Sequence, residues 1–285
     1  NCNILTVDNS DTLEPSIMKV GYINKDFCFK LKHNTEKIGS AFITKSILSY
    51  KVLPRISHNN TEFGIGYRNR VREIKKYFSK QFKTVIHCEI TPKLAEIAAY
   101  NFEVLEATNI TTHFVDGIEF LKSCQDTFDC IYIDPSRRDA QKTKKFLIED
   151  CSPNVINHQE LFFKHTHNVL IKMSPMLDIS AGLAVLKHVK SVYIIAVKNE
   201  VKEVLFFQGK DFDGKTTIHT FYSHPKGDQR FSFEMLSEEM AMASYSTPKQ
   251  YLYEPNAAVM KSGAFQFISE HFKIDKLDPH THLYT

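Results

Sequence analysis

Glycine is scarce in this chain, with ten in 285 residues. No GxGxxG loop, Walker A loop or Gly-x-Ser-x-Gly elbow is present. That excludes the common dinucleotide cradle, the P-loop nucleotidases and the α/β-hydrolase nucleophile. The six cysteines (Cys2, Cys28, Cys88, Cys124, Cys130 and Cys151) form no CxxC pair and no zinc spacing. Neither a redox dithiol nor a zinc finger is therefore expected. No apolar run reaches the ~18 residues of a membrane-spanning helix. Asn1-Cys2-Asn3 does not open the basic-then-apolar pattern of a signal peptide. Charge of one sign is also lacking: a net +3 permits a nucleic-acid partner without arguing for one. His165 and His167, like His280 and His282, are spaced as HxH, but neither pair has a third ligand in view. No metal site is expected.

What is present is an ordinary globular composition, 42% hydrophobic and 24% charged. The length holds one large domain, or one domain and a smaller companion. Cys88 and Cys130 fall in apolar runs that read as strands, where free thiols are usually buried. The expected compartment is a reducing cytoplasm.

Strand and helix signals alternate between residues 77 and 207. Runs at 84–89, 110–115, 129–133 and 168–173 read as strands. Stretches at 92–106, 118–122, 158–167 and 179–188 read as helices. Pro92 suits a first helical turn, and Leu94, Ile97, Ala98, Phe102 and Leu105 recur at helical spacing. Runs 189–197 and 201–207 meet at Lys198-Asn199-Glu200 and predict an antiparallel hairpin. Such alternation predicts an α/β fold, a parallel sheet with helices on its faces. Residues 208–285 change texture and predict a small α+β region. Residues 1–76 contain strand-like pieces at 19–23 and 27–31 and a helix-like piece at 43–53, without a clean pattern.

Three successive predicted strands end on acids: Glu89, Asp116 and Asp134. In a nucleoside-binding α/β sheet the acid ending the second strand accepts from both ribose hydroxyls. One strand later an acid can accept from an adenine amino group, and an acid at the fourth strand faces the reaction centre. Plain strand caps and turns remain the alternative. In Asp134-Pro135-Ser136-Arg137-Arg138, the proline biases Asp134 toward an extended backbone. That aims its carboxylate at a substrate amine, and two arginines can hold a phosphate bidentately. A strand-ending turn with solvated arginines is the competing reading. Ile171-Lys172-Met173-Ser174-Pro175-Met176-Leu177-Asp178 turns at the same sheet edge, and Lys172, opposite in parity to Ile171, reads as solvent-facing.

Several blocks together carry a family likeness. They are Phe78-Ser79-Lys80-Gln81-Phe82, Val85-Ile86-His87-Cys88-Glu89, Tyr132-Ile133-Asp134-Pro135-Ser136-Arg137-Arg138, Leu170-Ile171-Lys172-Met173-Ser174-Pro175, Val197-Lys198-Asn199-Glu200-Val201 and Tyr253-Glu254-Pro255-Asn256-Ala257-Ala258-Val259-Met260-Lys261-Ser262-Gly263. From Tyr77 onward the chain resembles the class I S-adenosylmethionine (SAM) methyltransferases of Bacteroidetes that carry ferredoxin-like and THUMP-like C-terminal regions. The resemblance implies a Rossmann-like methyltransferase sheet with a terminal antiparallel hairpin at 77–207 and a small α+β region at 208–285. It implies that Glu89, Asp116 and Gly117 bind SAM and that Asp134, Pro135 and Ser136 meet the methyl acceptor. Arg137 and Arg138 would bind substrate, and the acceptor would be an RNA base. No cysteine lies in the Asp134–Arg138 loop, so no covalent base mechanism is expected.

Residues 1–76 carry no part of the likeness. Where a glycine-rich SAM loop is expected, directly before Tyr77, stands Arg70-Val71-Arg72-Glu73-Ile74-Lys75-Lys76. The nearest substitute is Glu62-Phe63-Gly64-Ile65-Gly66. The departure predicts a fragment whose reading frame changes upstream of Tyr77. It also keeps open a non-catalytic RNA-binding protein on a degenerate methyltransferase fold. A dinucleotide-dependent oxidoreductase, which Glu89 alone would allow, is disfavoured by the absent GxGxxG and by the hairpin.

Overall fold

A computed structural model describes residues 38–45, 82–104, 106–137, 148–224 and 227–285, with backbone alone at 38–45, 104, 136 and 137. The expected pieces at 19–23 and 27–31, the candidate Gly64 and Gly66, the segment 70–81 and Arg138 lie outside the described residues. The chain divides after Lys172 into two compact units.

In the first unit, strand β1 (Ile38–Lys45) is followed by β2 (Phe82–Glu89) and helix α1 (Pro92–Val104). Then come β3 (Ile110–Phe114), α2 (Gly117–Ser123) and β4 (Cys130–Asp134). Helix α3 (Gln159–His165) and β5 (Asn168–Met173) follow. The strands are all parallel, in the order β3-β2-β1-β4-β5. Ala95, Ala98 and Phe102 are buried on one face of α1, and Phe102 meets the ring of His87 on β2 edge-on at 5.5 Å. Cys130, Ile131, Tyr132 and Ile133 are buried in succession. A parallel strand covered on both faces needs such an unbroken apolar run.

β1 corrects the start of the helix read over 43–53, since Ile43, Thr44 and Lys45 are strand, while 46–53 lie outside the described residues. Ile43 pairs with His87 on one side and with Tyr132 on the other. Pairing with two neighbouring strands overrides a local helical spacing. Among the described residues β1 is thus the first strand of the sheet, nearer the start of the chain than the glycine candidates.

The second unit begins with α4 (Ile179–Val185), capped by Asp178, which accepts the Ala181 N–H at 2.8 Å. β6 (Val189–Val197) and β7 (Glu200–Gly209) form the expected hairpin. Its turn is two residues, Lys198 and Asn199, both at positive φ (52° and 54°). That is the primed geometry that matches strand twist. β8 (Thr217–Ser223) runs parallel to β6, and β9 (Gln229–Glu234) antiparallel to β8. Gly182 on α4 is required by packing, because a Cβ there would lie 2.5 Å from the Phe206 ring.

Helices α5 (Met235–Met240), α6 (Ala257–Ser262) and α7 (Phe265–Phe272) complete this unit. Asn256 caps α6 by accepting the N–H groups of Ala258 and Val259, both at 3.1 Å. The side-chain oxygen of Asn199 accepts the Ala257 N–H at 2.8 Å. Two of the blocks that carry the resemblance therefore hold each other: the hairpin turn and the start of α6. Glu238 on α5 caps α7 from outside, accepting from Gln266 at 2.9 Å and Phe267 at 2.8 Å. Burial raises its carboxyl pKa, and these donated bonds oppose the rise. Replacing Glu238 with Ala is expected to cost about 1–2 kcal/mol in denaturant unfolding, and Glu238→Gln less. Equal stability of both variants and the parent would remove this cap from the account.

Candidate functional site

The strand order reverses direction between β1 and β4, and ligands of open α/β sheets bind outside the carboxyl ends of strands at such a point. Register aligns three residues along this edge. Lys45 at the end of β1 pairs with Glu89 at the end of β2 and with Asp134 at the end of β4. With strands about 4.8 Å apart, the two acids stand roughly 10 Å apart along the backbone.

Glu89 is 1% exposed, and its Oε1 accepts the Thr91 N–H at 2.9 Å, just before α1 begins. Asp116 follows β3 and caps α2. Its Oδ1 accepts from Ile118 at 2.7 Å and Glu119 at 3.2 Å. Gly117, the first residue of α2, is buried. The capping role is thus present whatever else Asp116 does. Asp116→Ala is expected to lower stability by about 1 kcal/mol in denaturant unfolding, an effect that should be largely spared in Asp116→Asn.

Asp134 ends β4 half-buried, with Pro135 beside it. The backbone of Ser136 and Arg137 then pairs antiparallel with Ser152 and Cys151, so the segment leaves the sheet as a short ribbon. Lys172 corrects the expectation of a solvent-facing side chain. Its Nζ lies 3.6 Å from Asp134 Oδ2, and the two side chains are 15% and 16% exposed. The reason it is covered is cross-strand: Ile133 pairs with Ile171, so the next residue on each strand stands beside the other.

His158, just before α3, was not singled out from sequence. Burial and then Lys122 lower its pKa, while Asp116 and Glu119 oppose. The imidazole is thus biased toward its neutral form. Cys88 is fully buried, and burial, with Asp116 and Cys124, pushes its thiol up to about 12. It stays protonated and is no nucleophile. His165 is buried with Nδ1 2.8 Å from the Asp126 carbonyl, and His282 stacks on Phe265 at 3.9 Å. Both serve packing. Among the described residues no cluster of three His, Cys, Asp or Glu could hold a metal. No described helix is long and apolar enough to cross a membrane.

A family model described as a ferredoxin-like domain matches residues 251–285. No curated protein matches the chain. Among solved structures, a "putative methyltransferase" from Porphyromonas gingivalis is 24% identical with a TM-score of 0.68, over 90% of this chain and 59% of that one. This chain therefore spans 59% of the length of that relative. TrmK of M. capricolum, solved with S-adenosylhomocysteine (SAH), is 14% identical with a TM-score of 0.40, over 66% of this chain and 67% of that one. Human methyltransferase-like protein 13, also with SAH, is 14% identical with a TM-score of 0.40, over 62% and 74% of the two chains. The fold is the Rossmann-like methyltransferase sheet, with a ferredoxin-like segment at its C-terminal end.

Proposed function

We propose that this chain is a SAM-dependent methyltransferase whose acceptor is an RNA base. The observation that carries the reading is the sheet edge at the order reversal, where a buried Glu89 and a half-buried Asp134 flank the end of β1. The residues present fit SAM. An ionised carboxylate is an acceptor-only group, suited to the two hydroxyl donors of a ribose. Glu89 takes that role, and Asp116 with Gly117 takes the adenine edge. SAM, when bound, supplies a methyl group on a sulfonium. Asp134 and the backbone at Pro135 accept the N–H protons of the acceptor and align its lone pair. Ser136 is assigned to the acceptor and Arg137 and Arg138 to substrate phosphate on the strength of the sequence pattern. Residues 77–207 are the methyltransferase-like region of this reading and 208–285 its small ferredoxin-like or THUMP-like α+β region. The buried free thiols of Cys88, Cys130 and Cys151 suit a reducing cytoplasm.

Tritiated SAM incubated with the full chain and total cellular RNA tests this reading. Label retained in RNA, and lost in Asp134→Asn, is the expected result. A second reading, RNA binding without catalysis, is favoured by the glycine-free segment 70–76. It predicts RNA retention with no heat of SAM binding.

A further inference from the structure

We propose that Lys172 is the positioning residue for Asp134: it fixes the aim of the carboxylate toward the methyl acceptor. The proposal rests on the methyltransferase reading and adds to it a residue outside the acidic set. Three observations carry it. First, Lys172 interrupts a strand otherwise built for burial, since Val169, Leu170, Ile171 and Met173 are all covered. Second, both members of the pair are largely removed from water, at 15% and 16% exposure. An ammonium so placed is costly, and a buried ion pair can often be exchanged for apolar residues without loss. Stability alone therefore does not call for a lysine here. Third, the pair stands at the carboxyl edge of β4 and β5, one strand from the order reversal, where substrate is expected.

The geometry suits aiming more than proton transfer. At 3.6 Å the Nζ and Oδ2 atoms attract by charge and lie beyond hydrogen-bond range. A carboxylate has about four lone-pair sites and can accept from several donors at once. The lysine fixes the carboxylate from the β5 side, and the acceptor's N–H groups approach from the open edge. The same positive charge offsets that of the half-buried acid.

The test uses the full chain as Lys172→Met, Lys172→Arg, Asp134→Asn and the double variant Asp134→Asn/Lys172→Met. SAM affinity is read by calorimetry, and methyl transfer from tritiated SAM to total RNA by single turnover. The Asp134 rotamer is read from crystals grown with SAH. Lys172→Met should bind SAM within about twofold of the parent yet transfer methyl about 10–100-fold more slowly, with Asp134 rotated away. Lys172→Arg should keep the charge and most of the rate. The double variant should be no slower than Asp134→Asn, because the lysine acts through the acid. If Lys172→Met does not fold, the arginine variant and the charge-neutral double variant carry the comparison.

An unchanged rate and an unchanged Asp134 rotamer in Lys172→Met would overturn the proposal. So would a Lys172 effect that persists in the Asp134→Asn background, which would make the lysine a substrate contact instead. If no RNA is labelled by the parent, the rotamer comparison decides. Absence of SAM binding by the parent overturns the methyltransferase reading and the proposal with it. SAM binding with an unmoved Asp134 overturns the proposal alone.

Discussion

Asp134→Asn is expected to slow methyl transfer by about 100-fold or more while SAM binding stays within about twofold. Asparagine has nearly the volume and shape of aspartate, so the β4 edge should remain intact. What changes is chemistry. The amide has one accepting oxygen and presents an NH2 donor, where the carboxylate was acceptor-only. A donor facing the acceptor's N–H groups repels what the acid attracted. The variant also removes the partner of Lys172 at 3.6 Å. Single-turnover transfer with saturating SAM and RNA reads the effect. A rate within threefold of the parent would take Asp134 out of the reaction centre and return it to the role of a strand end.

Glu89→Ala is expected to weaken SAM binding by about 100-fold, which is about 3 kcal/mol for the loss of two charge-assisted hydrogen bonds. Glu89→Gln should cost about tenfold, because one good acceptor survives. The size follows from burial: Glu89 is 1% exposed, so water does not readily replace it as a partner for the ribose. The alanine variant also loses the bond to the Thr91 N–H, at 2.9 Å, that steadies the entry to α1. A modest loss of stability of about 1 kcal/mol is therefore expected as well. Calorimetry on folded material, with an unfolding curve as control, separates the two effects. Undiminished affinity in both variants would place the ribose elsewhere.

Much of this architecture was written locally in the sequence. The hairpin is the plainest case: 189–197 was read as a strand and is β6 residue for residue. Its turn pair Lys198 and Asn199 fell at the expected place, although Glu200 belongs to β7. β4 was legible because the unbroken apolar run Cys130-Ile131-Tyr132-Ile133, ending on an acid, leaves few other structures open. β1 was not legible. Ile38-Gly39-Ser40-Ala41-Phe42-Ile43-Thr44-Lys45 mixes small, polar and apolar residues, and its strand character comes from partners that lie far along the chain at 82–89 and 130–134. Lys172 failed for a related reason. Alternation says which face a side chain takes, but the register that sets it beside Asp134 is a property of two strands. Asp116 shows the reverse limit. Its place at a strand end was readable, but its role as the cap of α2 comes from the backbone that follows it.

The most direct test of the account is a calorimetric titration of the purified chain with SAM and, separately, with NAD. The account predicts one SAM bound per chain, binding weakened in Glu89→Ala, and no heat from NAD. A chain that binds NAD, or that binds neither while staying folded, would contradict it.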